Sequence, residues 1–175
     1  EIKIEKGIFE DLTEANTKSL KDILAIYLKQ VTKNKKGWYS ETYKIKKLSR
    51  NKISDTKLAK LTPLKILNYR DELLKDLNPS TVNKYLILIN VTIKYARQIL
   101  GIYLPTNPCE FIKRLREPEF KGEVIEHDEE KVLLEQAEHS KAKWLKLVII
   151  LGLDCGMRRG EILKIRREDI DFNKC

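Results

Sequence analysis

Arg158 and Glu161 stand three residues apart in the string C-G-M-R-R-G-E-I-L-K-I-R-R-E-D-I-D, residues 155–171. Cutting a phosphodiester requires stabilisation of charge on the non-bridging oxygens as phosphorus becomes five-coordinate. Arginine suits that task because its planar fork donates two parallel hydrogen bonds and never loses its charge. The fork must also be held rigidly, since a mobile donor forfeits orientation. Residues three apart share a helical face, so Glu161 is placed to pin the Arg158 guanidinium or nearby backbone. R-x-x-E alone is common and also reads as a surface ion pair at a helix start; the longer string around it carries the functional reading.

A second chemistry is spread over the first two thirds of the chain. Residues 1–118 hold 24 Lys/Arg against 13 Asp/Glu, whereas residues 119–175 hold 11 against 13. Within residues 31–60 the count is 10 basic to 2 acidic. A basic portion joined to a near-neutral one points to a polyanion-binding module attached to something else. Lys33, Lys35 and Lys36 fall in a loop, where their ammoniums reach outward, and Lys44, Lys47 and Arg50 extend the positive run. Thr81, Asn83 and Lys84 open a later helix with short hydrogen-bonding side chains suited to backbone or base edges. Arg97 lies one helical turn from Lys94. Any single one of these residues reads equally as a solvated cation; the cluster carries the case.

The elements that position these groups are helical. Leu20, Ile23, Leu24, Tyr27, Leu28 and Val31 recur at spacings of three and four and predict a helix over about 17–31, capped by Thr17 or Ser19. A second helix is expected over 40–50, burying Tyr43, Ile45 and Leu48. Thr62-Pro63 supplies an N-cap and a first-turn proline for a third. Asn78-Pro79-Ser80 breaks it, and Ser80 opens a long fourth helix with the stripe Val82, Leu86, Ile89, Ile93, Ala96, Leu100. Residues 103–121, punctuated by Pro105, Pro108 and Pro118, read as a linker. Beyond it come a helix over 128–139 with an acidic first turn, and an apolar helix over 142–153 that should be buried and end at a C′ glycine, Gly156.

Composition narrows the classes. With 42% hydrophobic residues, 35% charged, 7 Gly and 5 Pro, the chain reads as a helical protein of one or two domains. No apolar run approaches the ~18 residues of a membrane span. Three cysteines, Cys109, Cys155 and Cys175, without C-x-x-C spacing favour a reducing, cytoplasmic setting. His127 and His139 lack ligand spacing to any cysteine, so no metal site is expected. The first residue is Glu1, and residues 1–12 read as the end of an upstream segment.

The string around Arg158 resembles the first active-site box of the tyrosine recombinases, the phage-integrase family, in Gly156, Met157, Arg158, Arg159, Gly160, Glu161, Leu163, Asp169 and Asp171. P-S-T-V-N-K-Y-L at 79–86 resembles the last long helix of that family's core-binding domain. Asn107-Pro108 sits where its interdomain linker often has that pair, and E-H-D-E-E-K-V-L-L resembles the helix opening its catalytic domain. The resemblance runs from about residue 14 to the C-terminus. Cys155 stands where the family usually has threonine, and Arg167 where an aromatic residue precedes the acidic turn.

The resemblance implies a mainly α fold: a four-helix, SAM-like core-binding domain over 13–102, a linker over 103–121, and the N-terminal helical part of the catalytic domain over 122–175. It implies that Arg158 grips the scissile phosphate with Glu161 in support, and that double-stranded DNA is the partner, alongside other protomers on the DNA. It implies breakage and rejoining through a 3′-phosphotyrosine, with no cofactor. It further implies a lysine, a His/Lys-x-x-Arg box and a nucleophilic tyrosine that would all lie past Cys175. None of the seven tyrosines present lies in the second unit. The chain alone is therefore expected to be a monomer that binds DNA without cutting it. A helical DNA-binding protein with no catalytic role is the alternative, and a protein-interaction module a third reading; salt-dependent DNA binding separates them from one another.

Overall fold

The computed structural model describes residues 11–119 and 122–171. The expected upstream segment, residues 1–12, falls almost wholly outside them. The chain divides into two compact units, Glu1–Glu119 and Phe120–Cys175.

Among its described residues the first unit contains five α-helices. A short α1, Thr13–Thr17, precedes α2, Leu20–Gln30. Lys18 and Ser19 break the single helix expected over 17–31. Ser19 instead caps α2 in a reciprocal box: its hydroxyl accepts from the Asp22 N–H at 3.2 Å, and Asp22 Oδ2 accepts from the Ser19 N–H at 2.8 Å. Ser19 also forms an isolated bridge with Lys57, closed by Leu20 N–H to the Thr56 carbonyl and Leu58 N–H to the Lys18 carbonyl, both 3.0 Å. Two 3-10 turns, Lys52–Asp55 and Leu58–Lys60, lie on either side of Lys57.

Helix α3, Trp38–Ser49, begins two residues earlier than expected. Ile45 and Leu48 turn inward, but Tyr43 is 65% exposed, a correction to its expected burial. It lies on the outer face of α3, on the side opposite Ile45 and Leu48. Helix α4, Pro63–Leu73, starts as read, with Thr62 as N-cap and Pro63 in the first turn. Helix α5, Pro79–Gln98, is capped by Asn78, whose Oδ1 accepts from the Thr81 N–H at 2.8 Å. The Asn78-Pro79 pair thus starts the long helix rather than merely ending the previous one. Val82, Leu86, Ile89, Ile93 and Ala96 form its buried stripe, and they meet Leu20, Ile23, Leu24, Leu48 and Ile66 in one core.

Residues 103–121 do not behave as a free linker up to Glu117. Leu104, Asn107 and Pro108 are buried, and Cys109, Ile112 and Leu115 pack on the core. The proline spacing signalled irregular backbone correctly, but irregular backbone can be strapped down wherever its polar groups find partners.

In the second unit, Glu126 caps α6, His127–Glu138, and its N–H donates to Glu129 at 3.0 Å. Helix α7, Leu145–Asp154, was expected to be buried. No residue in it is, and Leu147 is 59% exposed. Its own unit is small, and among the described residues the elements it packs on, α6 and α8, cover only part of its apolar surface. A single-turn α8, Arg159–Ile162, follows, then a 3-10 turn at Arg167–Asp169. Among the described residues no helix is long and apolar enough to cross a membrane.

Candidate functional site

The arginine turn is assembled locally. Gly156 closes α7 with φ +62°, a left-handed conformation that glycine adopts without steric cost. The Met157 N–H returns to the Leu151 carbonyl at 3.3 Å, folding the chain sharply. Arg158 then takes an extended backbone, φ −70° and ψ 145°, as N-cap of α8. Glu161 binds it twice. Oε2 accepts from the Arg158 N–H at 2.9 Å, and Oε1 accepts from Nη1 at 3.2 Å. Ile162, buried, anchors the turn from beneath.

The Arg158 side chain is 87% exposed, against 52% for Glu161. One carboxylate therefore orients both the backbone and one edge of the guanidinium, while most of the fork stays open to an incoming anion. This is the arrangement that the i, i+3 spacing suggested, with one addition. Glu161 is also the capping residue of the helix that carries it, so losing it would loosen the turn as well as free the arginine.

The first unit distributes its cations over separate surfaces. Lys35, Lys44 and Lys84 line one groove of about 370 Å³ between α3 and α5, together with Ser40, Ile87 and Val91. Lys44 donates to Ser40 Oγ at 2.9 Å. Lys35 is already engaged: Nζ donates to Tyr27 Oη and to Glu41 Oε1, each at 2.8 Å, and lies 5.0 Å from the Tyr27 ring centroid. Partial burial opposes its charge, but the hydrogen bonds to Glu41 and Tyr27 outweigh it and hold the ammonium above its ordinary value. Lys33 and Lys36 are exposed on the preceding loop, part of which, Thr32–Asn34, is a 3-10 turn.

The remaining expected contacts lie elsewhere. Lys47 and Arg50 border a cleft of about 240 Å³ with Glu72 and Asp76, a surface of mixed sign. Arg97 and Lys94 border another of about 530 Å³ at the far end of α5, with Tyr103 and Glu110. Thr81 sits half-buried in the first turn of α5. Asn83 is corrected. It is 3% exposed and its amide is spent internally on Leu115 and Glu117, so it is not available to DNA.

Sequence reasoning missed the exposed aromatics at the start of α3. Trp38, Tyr39 and Tyr43 are 50%, 77% and 65% exposed. Tyr39, Tyr43, Lys46, Lys47 and Arg50 recur at helical spacing along its outer face. The alternation of aromatic and basic residues was visible, but placing the helix start at Ser40 left Trp38 and Tyr39 outside it.

The other reactive groups are quiet. Burial pushes the Cys109 thiol up to about 12, with Glu110 adding to the effect. Burial likewise raises the Tyr69 and Tyr85 phenols. None of these groups is poised as a nucleophile.

No family model matches the chain. It is 32% identical over 164 residues to the shufflon-specific DNA recombinase of Escherichia coli, an alignment covering 88% of this chain and 42% of that protein. Its fold matches the structure of the Tn1549 transposon integrase in complex with transposon right end DNA, with a TM-score of 0.73 at 16% identity, over 89% of this chain and 50% of that one. The chain thus spans half or less of the length of these relatives. With the arginine box in its turn, a recombinase relative along most of the sequence and an integrase fold, the chain belongs to the tyrosine recombinase family.

Proposed function

We propose that this chain is the DNA-gripping portion of a site-specific recombinase that breaks and rejoins double-stranded DNA. The first unit, residues 13–102 with the strap that follows, holds the duplex. The second, from about residue 122, presents Arg158 to the scissile phosphate. The observation that carries this reading is the Arg158 turn, where Glu161 accepts one hydrogen bond from the Arg158 backbone N–H and one from Nη1 at the edge of the exposed fork.

In the full reaction a tyrosine oxygen attacks phosphorus, the 5′-oxygen of the next nucleotide leaves, and a 3′-phosphotyrosine forms. The reverse attack by a 5′-hydroxyl rejoins the strand. Arg158 contributes two donors to the non-bridging oxygens as negative charge accumulates there. Glu161 keeps the fork aimed. In this reading the nucleophile, the His/Lys-x-x-Arg box and the catalytic lysine belong to other parts of the recombinase, and other protomers join on the DNA. The reading supports a cytoplasmic enzyme that needs neither metal nor nucleotide.

On the first unit, Lys44 and Lys84 carry the phosphate contacts, with Lys33 and Lys36 on the adjoining loop. Titration of a labelled duplex at several salt concentrations tests the grip. Affinity should fall linearly with the logarithm of salt, at about −0.9 per phosphate contact. Binding that is indifferent to salt would leave a protein-interaction module as the better reading.

A further inference from the structure

Asn83 lies on α5, immediately before Lys84, yet its side chain points into the protein and reaches 32 to 34 residues along the chain. Its Nδ2 donates to the Leu115 carbonyl at 3.0 Å and to Glu117 Oε1 at 2.8 Å, while its Oδ1 accepts from the Leu115 N–H at 2.9 Å. Every strong hydrogen-bonding direction but one acceptor lone pair is used. The Glu117 carboxylate is held below its ordinary value, first by Asn83 and then by Ser80 in the first turn of α5, with Lys84 and Arg114 nearby in charge. One side chain thus closes a loop between the helix that faces the proposed DNA groove and the segment leading to the second unit.

Apolar contacts hold the earlier part of that segment, at Cys109, Ile112 and Leu115. Between Lys113 and Glu117, only Leu115 has an apolar anchor. Arg114, Arg116 and Glu117 are exposed. The Asn83 amide fixes the Leu115 backbone, adding to the packing of its side chain on the core, and with Glu117 marks where the connection to α6 begins.

We propose that Asn83 and Glu117 form a clasp that makes Asn83 a positioning residue: it sets the starting point of the connection between the DNA-gripping unit and the unit that carries Arg158. Its bearing on DNA breakage rests on the proposed function; the clasp itself does not. A tether's effective concentration falls roughly as the −3/2 power of its length. Releasing the chain back to Ile112 would lengthen the tether by several residues and spread the positions Arg158 can occupy.

The test is a charge swap measured without DNA. Asn83→Asp sets two carboxylates against each other, and Glu117→Lys sets a cation against the Asn83 amide donors and beside Lys84. Each single change should speed hydrogen exchange at the Leu115 N–H by about tenfold or more, the scale set by losing charge-assisted hydrogen bonds. The double variant creates an opposite-charge pair in place of the amide–carboxylate hydrogen bond. The carboxylate introduced by Asn83→Asp no longer donates to the Leu115 carbonyl but still accepts from the Leu115 N–H, so exchange should be at least about threefold slower than in either single variant, a coupling that general destabilisation does not give. Spin labels at Lys46→Cys and Glu135→Cys, with Cys155→Ser and Cys175→Ser, should report a broader distance distribution in each single variant and a narrowed one in the double. Slow exchange at Ile89 and Ile93 certifies the fold. Because Glu117 is exposed, Glu117→Lys carries the test even where Asn83→Asp weakens folding. Unchanged Leu115 exchange and an unchanged distribution in Glu117→Lys overturn the proposal, as does a double variant no better than its singles. Loss of salt-dependent DNA binding in the parent would overturn the proposed function and leave the clasp standing.

Discussion

Replacing Lys44 and Lys84 together with alanine should weaken duplex binding in a way that salt reveals. Both lysines line the groove between α3 and α5: Lys44 is bonded to Ser40 within its own helix, and Lys84 lies in the field of the Glu117 carboxylate without a close ion pair to it. Lys35, in the same groove, is left intact because its ammonium already serves Glu41 and Tyr27. Each phosphate contact contributes about −0.9 to the slope of log K against log salt, so the double variant should lose about 1.8 from that slope. Between 50 and 200 mM salt, the parent should then lose about 12-fold more affinity than the variant loses. Fluorescence anisotropy with a labelled duplex across five salt concentrations gives both slopes. Circular dichroism of both proteins controls for folding. A double variant with the parent's slope would place the phosphate contacts elsewhere, on the outer face of α3 or the far end of α5, and refute the groove as the grip.

Ile89→Ala should cost about 2–5 kcal/mol in chemical denaturation, because Ile89 is fully buried at the centre of the α5 stripe; a loss below about 0.5 kcal/mol would contradict that packing. Asn78→Ala should cost about 1 kcal/mol by removing the cap of the longest helix, whereas Asn78→Asp should cost far less. Asp22 is held below its ordinary value of 3.8 by the Ser19 backbone N–H and then by the Ser19 hydroxyl. A depressed carboxylate stabilises above its unfolded value and loses that contribution as pH falls through the folded one. The urea midpoints of the parent and Asp22→Asn should therefore differ at pH 7 and converge below about pH 3.8; a gap unchanged at low pH would assign the effect to something other than charge.

Periodicity located most of the helices because their stripes are long and their caps chemically explicit. Thr62-Pro63 and the run from Val82 to Ala96 needed no tertiary information. What the chain hid were partners distant in sequence. Asn83 carries the same short polar side chain whether it faces solvent or a backbone strap 32 residues away, so its role was misread. Tyr43 was placed inward by its hydrophobicity, whereas the phase of α3, fixed by Ile45 and Leu48, turns it outward. Helix α7 is apolar enough to be central in a larger core, yet its own unit does not bury it. The arginine turn was legible because all its determinants, Gly156, Arg158, Glu161 and Ile162, lie within seven residues. The basic surface was legible only as a region. Its division into a groove, a mixed-charge cleft and the far end of α5 depends on how helices pack, which composition does not record.

The most direct measurement uses a full-length protein carrying this sequence, comparing the parent with Arg158→Ala in single-turnover cleavage of its DNA site and in equilibrium affinity for the same duplex. A donor acting on the transition state is worth about 3–4 kcal/mol, so cleavage and covalent phosphotyrosine formation should fall by about 10²–10³-fold, while affinity, spread over many phosphate contacts, should change by about threefold or less. Arg158→Lys should fail nearly as badly, since a point charge does not reproduce the fork. Arg158→Ala that cleaves at the parent's rate would contradict the assignment and reduce the pair with Glu161 to a structural ion bridge.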